Sequence, residues 1–156
     1  MAIRYQIDDE HRVVVTTGHG VLTDQEVFEY KQSVWSHARL AGYDELLDMT
    51  AVDRIDIPST ERLRELARLS AAMDVPVPSR VAIVANDLVT TGIARMYELF
   101  RELDPRSTRQ VSVFRTVEAA VLWLKAPEKV HRRSRASGVS RAKRTERPNE
   151  SGPKAH

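Results

Sequence analysis

The chain has 156 residues, 42% of them hydrophobic and 29% charged, with no cysteine and a formal net charge of +2. That length and composition suit one domain with a proper core. The lack of cysteine excludes disulfides and thiolate metal sites and makes a reducing compartment, the cytoplasm, the expected location.

The start, "MAIRYQIDDEH", places charge where a signal peptide needs an apolar core, so export by that route is not expected. Apolar runs such as "VAIVA" are too short to cross a bilayer, and no membrane span is expected. Charge is unevenly divided. Residues 127–156 hold nine Lys/Arg against three Glu, a net of +6, while residues 1–126 hold fifteen against nineteen, a net of −4.

Two β-branched, apolar runs come first, "IRYQI" and "RVVVTTG". The turn-like "DDEH" between them predicts an antiparallel hairpin. "TDQEVFEYKQSVWSHARLAG" follows, with Thr23 and Glu26 at capping-box spacing. Val27, Tyr30, Lys31, Val34 and Trp35 fall near helical spacing, and Gly42 marks a stop. "ELLDM" predicts the third strand. "PSTERLRELARLSAAMD" predicts a helix with Leu63, Leu66, Ala67 and Leu69 on its inner face, broken by "VPVP".

"RVAIVAN" is apolar on both faces and predicts a central strand. "DLVTTGIARMYELFREL" predicts a helix that buries Ile93, Met96, Tyr97 and Phe100, with Gly92 unfavourable inside it unless something packs closely there. "RQVSVFR" alternates as a fifth strand. "TVEAAVLWLK" predicts a short helix with Val117, Val121, Leu122 and Leu124 inward.

The order ββαβαβαβα is that of an α/β domain. It calls for a single mixed, mainly parallel sheet with helices packed on it. Residues 1–125 make this domain. Residues 126–156 form a basic tail with almost no apolar residues, expected to be disordered because burial cannot offset its ordering entropy.

The stretches "GHGVLTDQEVFEY", "ELLDMTAV", "RVAIVAN" followed by "GIARMYELF", and "QVSVFRTVEAAVLWL" resemble the SpoIIAA-like branch of the STAS (sulfate transporter and anti-anti-sigma factor) superfamily. The resemblance covers roughly residues 3–125. It implies a small α/β domain that binds partners or small ligands, and it implies no enzyme and no cofactor. Anti-anti-sigma proteins carry Asp-Ser-Ser/Thr-Gly after the third strand, with a phosphorylated serine. Here Asp56 takes the place of the aspartate and Ile57 that of the serine, followed by Pro58 and Ser59. The resemblance therefore implies a domain without the usual phosphoserine switch.

Asp48, Asp53 and Asp56 are read as lying at and after the end of the third strand, where open α/β sheets bind ligands. Three carboxylates there suit Mg²⁺ or hydrolysis. The plainer reading has Asp48 and Asp56 capping local backbone donors and Asp53 solvated, and it is preferred. Ser59 and Thr60 read first as helix-capping residues and second as phosphorylation sites. The expected partner-binding or regulatory edge is thus Asp48, Thr50, Asp56, Ser59 and Thr60.

The histidines, His11, His19, His37, His131 and His156, show no metal-site spacing. His19 in "GHG" reads as a turn or bulge residue, and "TGHGVL" lacks the glycine spacing of a phosphate loop. Trp35, Tyr30, Tyr97, Phe100 and Trp123 read as core.

The expected function is a non-enzymatic regulatory or protein-interaction domain with a protein partner, a homodimer among the candidates. The alternatives are a carrier whose helices part around a small apolar ligand and, less favoured, a hydrolase. In the tail, Arg132, Arg133, Arg135, Arg141, Lys143 and Arg144 are candidate polyanion contacts. They would give weak, sequence-indifferent nucleic-acid binding that salt weakens; a solvated end is the preferred reading, because aromatic stacking anchors are missing. Deleting residues 127–156 should leave folding stability unchanged within about 0.5 kcal/mol. Thermal denaturation checks this, and a large drop in Tm would show that the tail docks.

Overall fold

The computed structural model describes residues 2–127. The basic tail beyond them, with its expected disorder and its six candidate polyanion contacts, lies outside the described residues. The chain runs β1 (Ile3–Asp8), β2 (Val13–Thr23), α1 (Asp24–Trp35), a 3₁₀ turn (Ala38–Leu40), β3 (Asp44–Asp56), α2 (Thr60–Met73), β4 (Ser79–Val84), α3 (Leu88–Leu103), β5 (Arg109–Phe114) and α4 (Val117–Lys125). One sheet takes the strands in the order β1-β2-β3-β4-β5. β1 and β2 are antiparallel and every other neighbouring pair is parallel. This is the mixed α/β sheet expected from the sequence.

The helices start where local chemistry says they should. Thr23 and Glu26 form a reciprocal capping box on α1, and Ser59, Asp87 and Thr116 cap α2, α3 and α4. Each cap satisfies a backbone N–H that the first turn leaves unpaired.

The two faces of the sheet have separate cores. Leu22, Met49, Val81, Ile83 and Val113 pack under α2 and α3, and Val14 packs under α1 with Tyr30, Val34, Leu40 and Tyr43. On the opposite face Leu46, Ala82 and Val84 pack against Ala120 of α4. Covered on both sides, β4 is apolar throughout its buried run, as an interior parallel strand must be; the middle strand of the five is β3.

β3 departs from expectation. It runs to Asp56 instead of ending near Met49, and β2 runs to Thr23 instead of ending at Gly18. Their pairing register shifts twice, between Thr17 and His19 and between Gly20 and Val21. Each shift puts an extra residue into β3, which is a β-bulge. His19, expected as a turn or bulge residue, is a strand residue of β2, facing Ala51 just after the first bulge of β3. The bulges turn the inward pattern of β3 from every second residue to Met49, Val52 and Ile55, so the sequence no longer alternates as a strand should. β4 pairs with β3 only as far as Asp48, and beyond it β2 and β3 continue as a two-stranded parallel ribbon.

Two inward assignments fail. Met96 is 37% exposed on α3, and Leu122 is 72% exposed on α4. The neighbours of each helix cover a narrower stripe than the apolar pattern offers. Trp123 instead packs on the α4 core, its ring tilted against Phe114.

Gly92 lies on the outer side of α3, where an added Cβ would meet nothing within 4 Å. Nothing in the chain requires glycine there. Gly92→Ala should therefore stabilise the dilute protein by about 0.5–1 kcal/mol, through reduced freedom of the unfolded chain. Urea denaturation measures it, and a loss of stability would mean that α3 is not an ordinary helix at that point.

Candidate functional site

The three aspartates do not form a site, because the segment that carries them is strand and not loop. At strand rise, Asp48 and Asp53 are roughly 16 Å apart along β3, and Asp53 and Asp56 roughly 10 Å. Asp48 Oδ1 accepts hydrogen bonds from Thr50 N at 2.9 Å and Thr50 Oγ1 at 2.8 Å, which makes it a local turn-type cap within the bulged stretch. Asp53 and Asp56 are exposed, and the Asp56 side chain, expected to cap a backbone donor, caps none among the described residues. No group of three or more His, Asp or Glu side chains among the described residues is placed to hold a metal ion.

Ser59 Oγ accepts from Arg62 N at 3.1 Å, the capping role expected of it. Thr60, exposed, opens α2. Ile57, at the place of the switch serine, packs against the core under α2 and α3. The edge from Asp48 to Thr60 is therefore a polar surface that satisfies part of its own hydrogen-bonding capacity.

The concentrated chemistry lies at the opposite edge, where β3, β4 and β5 start and α1, α2 and α3 end. Glu45, at the second position of β3, has no exposed surface. Its carboxylate accepts from Tyr30 Oη at 2.6 Å and Lys31 Nζ at 3.2 Å, with Arg109 Nη1 at 3.6 Å. Burial by itself pushes the Glu45 carboxyl up. The charges of Lys31 and Arg109 and the Tyr30 hydrogen bond outweigh that and hold it below the ordinary carboxylate range. Tyr30 is pushed well above the usual phenol value, by burial first and by Glu45 second. Its hydroxyl is also tied to Thr16 Oγ1 at 2.7 Å and accepts from Trp35 Nε1 at 3.2 Å.

A second buried pair sits beside the first. Arg101, in the last turn of α3, donates to Asp74 through Nη2, to Tyr97 Oη at 2.9 Å and to Ser107 Oγ at 3.1 Å. A cation there also suits the negative end of a helix. Arg109 lies over the Trp35 ring at 3.9 Å and donates to Ser79 Oγ at 2.8 Å and to the Tyr43 carbonyl at 3.0 Å.

These groups border a cavity of about 320 Å³, the lower end of the range for small-molecule sites. The residues that line it include Lys31, Arg101 and Arg109 among the charged ones and Trp35, Met73 and Val77 among the apolar ones. Gly42 lines it too, at φ 81°, a conformation that other residues rarely adopt. The apolar cavity between the helices and the sheet is only about 70 Å³, so the helices do not stand apart around a lipid-like molecule.

None of Lys31, Glu45, Arg101 or Arg109 was singled out from sequence as functional. The signal was present but weak: Lys31 at a core-spaced place in α1, and Glu45 opening an apolar strand. A charge at a core position needs a partner, yet neither position reveals which residue it will meet.

Glu45→Gln should destabilise the protein by about 3–5 kcal/mol, since it leaves two buried cations without their carboxylate. The folded protein holds Glu45 below the unfolded carboxyl value of about 4.3, so its contribution is complete above that pH and is lost as pH falls through the folded value. Denaturation between pH 7 and pH 3 should show a shallower acid limb for the variant. A loss under about 1 kcal/mol would mean that Glu45 is not buried as an ion.

No protein-family model matches the chain, and no curated protein does. Among solved structures it is similar to an uncharacterised protein of the DUF3478 family with a SpoIIAA-like fold from Shewanella loihica PV-4. The two are 18% identical, with a TM-score of 0.52 over 79% of this chain and 94% of that one. At that identity the likeness concerns the fold, and it agrees with the strand order and helix placement described above: the chain has a SpoIIAA-like fold.

Proposed function

We propose that this chain is a non-enzymatic protein-interaction domain, that the outer face of α3 is its contact surface, and that a second copy of the chain is the partner this surface fits. The observation that carries the reading is a stripe of uncovered apolar side chains. Leu88 is 90% exposed, Leu103 71% and Leu99 50%; with Val89, Gly92 and Met96 they share one side of the helix. Single exposed leucines are ordinary, but a contiguous stripe marks a docking surface.

The stripe complements itself. With two copies of α3 antiparallel about a two-fold axis near Met96, Leu88 lies opposite Leu103 and Gly92 opposite Leu99. The missing side chain at Gly92 leaves a recess for the leucine, the pattern a closed symmetric interface requires. A helix of this length presents a face about 24 Å long, less than a standard interface of about 800 Å² per partner, so the dimer is weak and exchanges quickly. The Asp48–Thr60 edge is a poorer contact surface, because its exposed side chains are polar and Ile57 is packed inward.

Sedimentation analysis across a concentration series should show dimer appearing at high micromolar concentration. Leu99→Glu should return the protein to monomer while changing stability by no more than about 0.5 kcal/mol, as for other exposed positions. A wild type that stays monomeric at millimolar concentration, or a dimer indifferent to Leu99→Glu, would overturn the reading.

A further inference from the structure

We propose that Met96 is an oxidation switch for self-association: a peroxide converts its thioether to the sulfoxide, and the sulfoxide drives two copies of α3 apart. The switch rests on the α3 contact proposed above and adds how that contact is controlled.

The chain holds four methionines and no cysteine, so a peroxide that reacts with its sulfur must react with a thioether. Susceptibility follows exposure. Met49 is 7% exposed, in the core beneath α2 and α3. Met73 is half-buried at the cavity. Met96 is 37% exposed and is the most open of these three.

Position gives the reaction a consequence. Met96 lies four residues from Gly92 and three from Leu99, so it shares their side of the helix. The two-fold axis of the α3 contact passes near it, which places the thioethers of both copies in the middle of the interface. A thioether suits that place, because it is apolar and adaptable. A sulfoxide does not: it is polar and chiral, and burying it without a hydrogen bond is unfavourable. Leu99, Leu103 and Val89 offer its oxygen no side-chain donor. Arg95, the adjoining cation, pairs with Glu98 at 3.4 Å on the exposed surface.

In the step itself a sulfur lone pair attacks one oxygen of hydrogen peroxide. The S–O bond forms as the O–O bond breaks, and the departing hydroxide takes the proton of the transferred hydroxyl and leaves as water. Sulfur loses two electrons and the peroxide gains them. In the separated copies water solvates the new oxygen, and in the dimer that water is lost. Because the dimer exchanges quickly, Met96 is open to peroxide in the monomer and shielded in the dimer. Oxidation should therefore slow as protein concentration rises through the dimer range.

The full chain is treated with hydrogen peroxide, and the mass of the tryptic peptide 96–101 reports oxidation at Met96. Sedimentation across a concentration series then compares treated and untreated protein. The dimer constant should weaken about tenfold or more, with Tm of the monomer unchanged, and enzymatic reduction of the sulfoxide should restore it. Met96→Leu should dimerise equally before and after peroxide, and Met96→Gln should behave as the oxidised form does. If the untreated protein forms no dimer, the α3 contact itself fails and the switch fails with it. If the dimer forms and oxidation of Met96 leaves its constant unchanged, the switch alone fails. It fails too if peroxide separates Met96→Leu as readily as the wild type, since another methionine is then responsible.

Discussion

A carboxylate with no exposed surface stands at the start of the central strand, and much of the molecule is arranged around the need to keep it charged. Taking an isolated carboxylate out of water is prohibitively unfavourable, so Glu45 must be met from several directions. Tyr30 and Lys31 reach it from α1, and Arg109 reaches it from the start of β5. Those three contacts fix the rotation of α1 about its axis and its height above the sheet. They also commit Arg109, which then stacks on Trp35 and holds the Tyr43 carbonyl. The neighbouring Arg101–Asp74 pair does the same for the ends of α2 and α3, with Asp74 also accepting from Thr108 N at 3.0 Å ahead of β5. An apolar core tolerates small slips between helices and sheet better than directional contacts do. Two adjoining buried ion networks are not, and they give this edge one geometry.

The opposite edge obeys a different constraint. There β2 and β3 extend past the rest of the sheet, held to each other alone, and two bulges in β3 keep Met49, Val52 and Ile55 turned inward as the ribbon twists. The aspartates face solvent because the inward places belong to apolar side chains. What looked like an acidic loop is the outer side of a strand, and what looked like a switch position is a half-buried isoleucine that closes the core beneath α2.

α3 has two unlike sides. Its inner side carries Tyr97 and Arg101, members of the charged edge, and its outer side carries Leu99 and Leu103. The same helix therefore borders the cavity and presents the uncovered apolar stripe. That arrangement follows from an apolar pattern wider than one sheet can cover, with covered and uncovered sides divided by the packing of α2 and β5.

Much of this was legible in the sequence, because it is local. Helix starts depend on residues within one turn, so Thr23 with Glu26, Ser59, Asp87 and Thr116 announce them directly, and the alternation of strands and helices limits the topology to a mixed sheet. Other features were settled only by tertiary structure. The true length of β3 depends on pairing with β2 through bulges that erase the period of two. The outward turn of Met96 and Leu122 depends on which neighbours arrive to cover each helix. The charged edge joins residues 31, 45, 74, 101 and 109, which no spacing rule connects. A lone lysine or glutamate at a core-like position says that a partner must exist, but only the folded chain says where it is, since the pairing is made across the sheet and not along the sequence.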